Sequence, residues 1–212
     1  MLEFAEYIKI FVGLVAIVNP LGVIPLFAIM TAGSTESERY QIARLVSVSV
    51  TAILLGALLF GEPLLTFFGI TIDSFRVGGG ILILLMAIAM LHARTSGVRQ
   101  TAEEANESIE KESVAIVPLA MPLLAGPGAI STVILAAHKA GGVGHYLLIG
   151  VSILLLSVLI WGVLRISPWV AERAGTTGIN ISTRIMGLIL ASIAVEFIAN
   201  GIRGLFPVLG SV

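Results

Sequence analysis

Six long apolar stretches dominate this chain of 212 residues. Each approaches the length of about 20 residues that a helix needs to cross the hydrocarbon layer of a membrane. The third stretch is short unless its helix begins before Arg76. Within lipid each stretch must be helical, because backbone groups find no water to bond there. The sequence therefore predicts an all-α membrane protein with six transmembrane helices, at residues 8–30, 45–61, 77–91, 114–137, 146–164 and 185–206.

Composition excludes most other classes of protein. Hydrophobic residues make up 57% of the chain and charged residues 12%, which is about half the charged share of a soluble domain. The mean hydropathy is +1.05. These values exclude a soluble enzyme, a nucleic-acid binder and a disordered chain. The chain has no Cys, so disulfides, thiolate metal sites and a Cys nucleophile are excluded as well. We expect no cofactor and no metal site.

Basic residues in the loops predict the orientation of the spans. The connections after spans one, three and five hold eight Lys and Arg residues, and the opposite side holds four. The eight are Arg39, Arg44, Arg94, Arg99, Lys111, Arg165, Arg173 and Arg184, and the four are Lys9, Arg76, Lys139 and Arg203. We therefore expect a multi-pass protein of the cell membrane with both termini outside and the polar loop 92–113 in the cytoplasm. The acidic N-terminus, with Glu3 and Glu6, predicts a retained first span and not a cleaved signal peptide.

Two similar segments suggest that the chain consists of two halves. GITIDSFRVGG at residues 69–79 opens span three, and GINISTRIMG at residues 178–187 opens span six. With one gap, Arg76 aligns with Arg184 and Gly79 with Gly187. Because each half would hold three spans, the second half enters the membrane from the opposite side, as is typical of secondary transporters. We predict two inverted three-helix repeats, residues 1–91 and 114–212, joined by the cytoplasmic linker 92–113. A plain six-helix bundle is the alternative.

Proline motifs predict that spans one and four are discontinuous. Span one contains NPLGVIP at residues 19–25, and span four contains VPLAMPLLAGPGAIST at residues 117–132. Proline lacks an amide donor and disfavours helical geometry in the residue before it. Asn19 is a good cap for a second half-helix that would begin at Pro20, and Gly126 with Pro127 repeats that arrangement. Each span is therefore predicted to contain two half-helices joined by an unwound segment.

These two breaks form the candidate substrate site. The break leaves amides with partial positive charge and carbonyls with partial negative charge, which must line a cavity or be buried in protein. A zwitterion would present its carboxylate to the amides and its ammonium to the carbonyls. Two proline kinks repaired by neighbouring helices are the alternative. The predicted substrate-binding residues are Asn19, Pro20, Leu21, Gly22 and Val23 in span one, with Leu124, Ala125, Gly126, Pro127, Gly128 and Ala129 in span four.

Few ionisable residues lie within the spans. Glu196 is close to the centre of span six, where a carboxylate is costly and is a functional candidate. Glu196 is the candidate for carrying the coupling ion, and a purely structural network with Asn200 and Arg203 on the same helix face is the alternative. The histidines, which are His92, His138 and His145, lie at span ends and are expected to be interfacial.

The break motifs resemble those of the MarC family of six-span membrane proteins. The similarity rests on NPLGVIPLF in span one, AGPGAIST in span four and the polar central loop, and it covers essentially the whole chain. The resemblance implies that the motif positions of the family are occupied in this chain by Asn19, Pro20, Gly22, Gly126, Pro127 and Gly128. The family includes archaeal transporters of small neutral amino acids driven by an ion gradient, and bacterial members named for a suggested link to antibiotic resistance. The resemblance therefore implies a membrane protein that transports amino acids.

We predict a secondary transporter of small neutral amino acids, chiefly glycine and alanine, coupled to a proton or sodium gradient. One three-span half would move against the other to expose the site to each side in turn. An exporter or a channel for small metabolites or drugs with the same fold is the alternative. We do not expect an intramembrane enzyme, because an HExxH motif is absent and Asp73 is the sole Asp.

Overall fold

The chain folds into a bundle of helices. The computed structural model describes residues 2–31, 33–92 and 124–206. Within these ranges the backbone forms helices and no strand, as the all-α prediction requires. Most of the predicted linker 92–113 and the first part of span four lie outside the described residues. The helices are α1 (Phe4–Val18), α2 (Ile24–Met30), α3 (Glu36–Phe67), α4 (Ile72–Leu91), α5 (Pro127–His138), α6 (Val143–Arg165) and α7 (Ser167–Leu205).

In the described part of the chain, four helices are long and apolar enough to cross a membrane. They are α3, α4, α6 and the Asn180–Leu205 part of α7, and they correspond to predicted spans two, three, five and six. α4 reaches full length because it begins at Ile72, where the Thr71 side chain accepts a hydrogen bond from the Ser74 amide. α7 is kinked at Gly175, whose φ of 59° no regular helix contains. Span one is divided between α1 and α2, and α5 is a shorter apolar helix.

Contacts between helix ends distinguish the two ends of the bundle. At one end, Glu6 of α1 lies 3.9 Å from Lys139, which follows α5. Glu62 near the end of α3 lies 2.9 Å from His138 at the end of α5. We call this the Glu6 end. At the other end, the Arg165 guanidinium lies 5.5 Å from the ring centroid of Tyr40, which is near the start of α3. The N-terminal residues and the last turns of α7 share the Glu6 end.

The short helix α5 is the centre of the core. Apart from Pro127, Ile130 and His138, all its residues are buried, and Val133 is fully buried. The fully buried residues Leu14 of α1, Leu54 of α3 and Leu156 of α6 belong to the same apolar cluster as Val133. A half-helix at this position is held by neighbours on several sides, which compensates for its small number of backbone hydrogen bonds.

α4 and α7 are antiparallel and pack closely because glycines face the neighbouring helix. A Cβ atom at Gly80 of α4 would lie 2.7 Å from Cγ1 of Ile198 on α7. A Cβ atom at Gly187 of α7 would lie 3.1 Å from Cβ of Met90 on α4. Small residues allow this approach in membrane proteins.

Candidate functional site

The first helix is interrupted between α1 and α2. Asn19 closes α1 in the left-handed region, with φ 45° and ψ 64°, and its amide bonds the Val15 carbonyl at 2.9 Å. Asn tolerates this conformation better than most residues do. The helix resumes at Ile24, after a turn. The prediction that the second half-helix begins at Pro20 is therefore wrong, because Pro20 lies in the turn and Asn19 ends the first half-helix.

Asn19 and Gly22 hold this turn together. The Gly22 amide donates to the Asn19 carbonyl at 3.0 Å and to Asn19 Oδ1 at 3.3 Å. A Cβ atom at Gly22 would overlap the Asn19 side chain, so that the folded-back amide requires glycine at this position. The Gly22 amide, which the sequence predicted to be free for a ligand, is thus satisfied within the turn.

The second interruption precedes α5. Gly126 is extended, with ψ 175°, and Pro127 is the first residue of the helix, as predicted. The Gly126 carbonyl accepts a hydrogen bond from the Ile130 amide at 3.1 Å. The Thr132 hydroxyl donates to the Gly128 carbonyl at 2.8 Å. Residues 114–123 of span four are outside the described part of the chain.

The two interruptions lie side by side against α4. Nδ2 of Asn19 is 4.0 Å from Sδ of Met90. A Cβ atom at Gly128 would lie 3.6 Å from Sδ of Met86, one turn earlier on α4, and 3.3 Å from Cγ2 of Ile17 on α1. The sequence motifs in spans one and four therefore meet in space.

The predicted substrate-binding residues differ in exposure. Leu21 and Pro127 are exposed, and Asn19 and Gly22 are half-buried. The remaining residues are buried: Pro20, Val23, Leu124, Ala125, Gly126, Gly128 and Ala129. The site is therefore mostly enclosed.

A cavity of about 770 Å³ leads from the Glu6 end towards the interruptions. Its walls come from α1, α5 and α7, with Arg76 contributed by α4. Its inner part contains Ala16 and Ile17 of α1 and Thr132 of α5, which lie within one helical turn of Asn19 and Gly128. None of the predicted substrate-binding residues lines this cavity. They lie immediately behind its inner end.

Charged side chains surround the outer part of the cavity. Lys9 donates to Glu6 at 2.6 Å, and Lys139 lies 3.9 Å from the other oxygen of Glu6. Arg76 pairs with Asp73 at 3.3 Å. These charged residues are not among the predicted substrate-binding residues. Lys9 within span one was the available signal, since a Lys inside a span normally faces water or a partner.

Glu196 lies in the wall of this cavity, together with Asn200 one turn later. Both side chains are exposed, so that no neighbouring helix encloses Glu196. Within the described ranges, Glu196 forms no hydrogen bond or ion pair with Asn200 or Arg203. In the described part of the chain, the alternative prediction of a structural network between Glu196, Asn200 and Arg203 is therefore wrong.

Among the three histidines, His145 is the one that the bundle encloses. Its ring is fully buried, with Nδ1 2.8 Å from the Tyr7 hydroxyl and Nε2 2.9 Å from the Ala136 carbonyl. Although His145 is at the start of α6, α1 and α5 enclose it. His138 and His92 are exposed at helix ends.

Comparison with known proteins gives similarities along nearly the whole chain. The model of the MarC family integral membrane proteins matches residues 4–206. The UPF0056 membrane protein YhcE of Escherichia coli is 42% identical over 205 residues, which cover 97% of this chain and 95% of that protein. The UPF0056 membrane protein YvbG of Bacillus subtilis is 38% identical over 209 residues, or 98% and 99% of the two chains. A UPF0056 membrane protein of Methanocaldococcus jannaschii is 38% identical over 203 residues, or 96% and 98%. No solved structure matches the chain.

Proposed function

The chain belongs to the MarC family of integral membrane proteins, and we propose that it is a secondary active transporter of small neutral amino acids, chiefly glycine and alanine. The observation that carries this proposal is the cavity that opens at one end of the bundle and stops beside two interrupted helices. Interrupted helices in a membrane place backbone groups of opposite partial charge beside a substrate, which suits the two ends of a zwitterion.

The surroundings of the interruptions favour a small, neutral substrate side chain. Gly128 has almost no free space beside it, because Ile17 and Ile83 would both lie within 3.3 Å of a Cβ atom there. Leu124 is buried and apolar. The two break motifs contain no charged residue. A charged substrate side chain would therefore be left unpaired at a cost of several kcal/mol.

A transporter accounts for the cavity, as the described residues form it, better than a channel does. A channel in its conducting state needs a path that continues to the opposite face. Within the described residues, this cavity extends inward as far as Ile17 and Thr132. Under the proposed orientation, with both termini outside, it is the outward-facing entrance. In the proposed cycle, two inverted halves would exchange this entrance for one on the other side, and the close glycine contacts between α4 and α7 hold the two halves together.

An ion gradient would supply the energy for the accumulation of substrate. Glu196 stays the candidate for the coupling ion, proton or sodium, because its carboxylate faces the cavity. The direction of net transport depends on the gradients. The alternative, an exporter of small metabolites or drugs, would use the same fold and the same cycle with the gradients reversed.

The test is uptake of labelled glycine by the purified protein in liposomes. An inward proton or sodium gradient should drive accumulation above the external concentration, and dissipating that gradient should release the label. Equilibration without accumulation under every gradient would instead indicate a channel. Alanine and serine should compete, whereas lysine, glutamate and tryptophan should not. Leucine is the informative competitor, because an apolar pocket rejects each surplus methylene by only about 1–3 kcal/mol. Strong competition by leucine would mean that the site is larger than proposed.

A further inference from the structure

Two opposite charges face the cavity from different helices. Lys9 belongs to α1 and Glu196 to α7, and both line the cavity. No ion pair within 4 Å joins them in the described part of the chain, where Lys9 binds Glu6 instead. Asn200 lies one turn from Glu196 in the same wall, and Ile193 and Phe197 provide apolar surface beside them. The charges are therefore separated by a gap within the cavity.

Of the described residues that line the cavity, Glu196 is the carboxylate without a cation bound to it. The carboxylate of Glu6 lies against both Lys9 and Lys139, and Arg76 is paired with Asp73. Within the described residues, Glu196 has neither an ion-pair partner nor a hydrogen-bond partner. The Lys9 ammonium has three N–H donors and uses one of them for Glu6, so that two remain for an anion.

We propose that Lys9 and Glu196 form an entry site for zwitterionic amino acids, outside the main site at the interruptions. The substrate carboxylate binds the Lys9 ammonium, and the substrate ammonium binds the Glu196 carboxylate and the side-chain oxygen of Asn200. A single carbon atom separates the two charged groups of an α-amino acid, so that one molecule can bridge a gap that the two side chains leave open. This inference rests on the proposed function, because it takes the transported molecule to be a zwitterion.

Such a site would raise the local concentration of zwitterions over singly charged solutes. Hydrogen bonds to charged groups are strengthened where water is partly excluded, and in a water-accessible cavity each contact remains modest. The site would therefore lower the glycine concentration needed for half-maximal transport without setting the maximal rate. Coupling of an ion at Glu196 is a separate function. It affects the accumulation of glycine under a gradient and not the exchange of glycine without one.

The test is exchange of labelled glycine in liposomes that hold unlabelled glycine, with no pH or sodium gradient. Lys9→Gln and Glu196→Gln should each raise the KM for glycine about tenfold, which is the loss of one charged contact. The maximal exchange rate should stay within about twofold of wild type. The conservative variants Lys9→Arg and Glu196→Asp keep the charges and should recover most of the affinity. Lys139→Gln is the matched control, since it removes a cavity-lining charge that pairs with Glu6, and its KM should match wild type.

The outcomes separate this site from the proposed function. An unchanged KM in both Gln variants would overturn the entry site, and so would a reduced maximal rate at an unchanged KM. Equal KM values for the Gln variants and their conservative counterparts would also overturn it, because the charges would then be irrelevant. If the wild-type protein exchanges no glycine, the proposed function fails and the entry site fails with it.

Discussion

The Tyr7 hydroxyl lies 2.8 Å from Nδ1 of His145, although the two residues are 138 positions apart. Nε2 of the same ring lies 2.9 Å from the Ala136 carbonyl. Since a carbonyl only accepts, the neutral ring carries its proton on Nε2 and accepts from Tyr7 at Nδ1. One buried side chain thus joins α1, α5 and α6 beside the cavity, to which Ala136 contributes.

Tyr7→Phe should lower the free energy of unfolding by about 1–3 kcal/mol, because Nδ1 of His145 would be buried without a partner. Tyr146→Phe is the matched control. Its ring centroid is 6.1 Å from that of His145, but its hydroxyl forms no hydrogen bond with any described residue. Thermal unfolding of both variants in the same detergent measures the difference. Equal stability of the two variants would mean that the Tyr7 hydroxyl contributes nothing.

Gly201→Ala should destabilise the packing of α4 against α7 by about 1–3 kcal/mol, because overpacking forces the backbone to move. A Cβ atom at Gly201 would lie 2.6 Å from Cγ2 of Val77 and 2.9 Å from the Asp73 carbonyl oxygen. Gly78→Ala on α4 is the control, because a Cβ atom there meets nothing within 4 Å. Thermal unfolding should separate the variants, and a similar loss in both would contradict this account of the helix contact.

Gly128→Leu should lower glycine affinity more than about tenfold while the protein still inserts into the membrane. The added side chain would meet Cγ1 of Ile83 at 3.0 Å and Ile17 on the other side. Gly126→Leu should act in the same way at the neighbouring extended residue. Gly162→Leu is the control, since nothing lies within 4 Å of a Cβ atom there. Near-normal glycine affinity in both break variants would move the substrate site elsewhere.

Single cysteines can test the orientation, because the chain has no Cys of its own. Cysteines at Ser96 and Ser108, in the predicted cytoplasmic loop, should resist an impermeant thiol reagent in intact cells. A cysteine at Gly141, an exposed position just after Lys139, should react, and a Cβ atom there has free space. The reverse labelling pattern would place the termini in the cytoplasm and turn the cavity inward.

Glu196→Gln should largely abolish gradient-driven accumulation of glycine, while exchange at saturating glycine continues. The amide keeps the size of the side chain but cannot take up a proton or hold a cation by charge. Glu62→Gln is the control, since Glu62 binds His138 at the Glu6 end and does not line the cavity. Accumulation that survives in Glu196→Gln with an unchanged pH profile would exclude Glu196 from coupling.

Much of the fold could be predicted because the membrane restricts the choices. A long apolar segment in lipid has to be a helix, so that spans two, three, five and six could be read as helices directly. The interruption before α5 was also predictable, since Gly126 and Pro127 impose it through their own backbone chemistry. These conclusions depend on local covalent geometry and hydropathy alone.

The remaining features depend on which side chains meet. Asn19 ends α1 in the left-handed conformation, and α2 begins only at Ile24, neither of which follows from the N-cap preference of Asn. His145 was expected at the interface, and it is buried because Tyr7 and the Ala136 carbonyl satisfy both ring nitrogens. Hydropathy places residues along the membrane normal but not around the helix bundle. The cavity, with Lys9 opposite Glu196, therefore follows from how α1, α5 and α7 pack and from no motif in the chain.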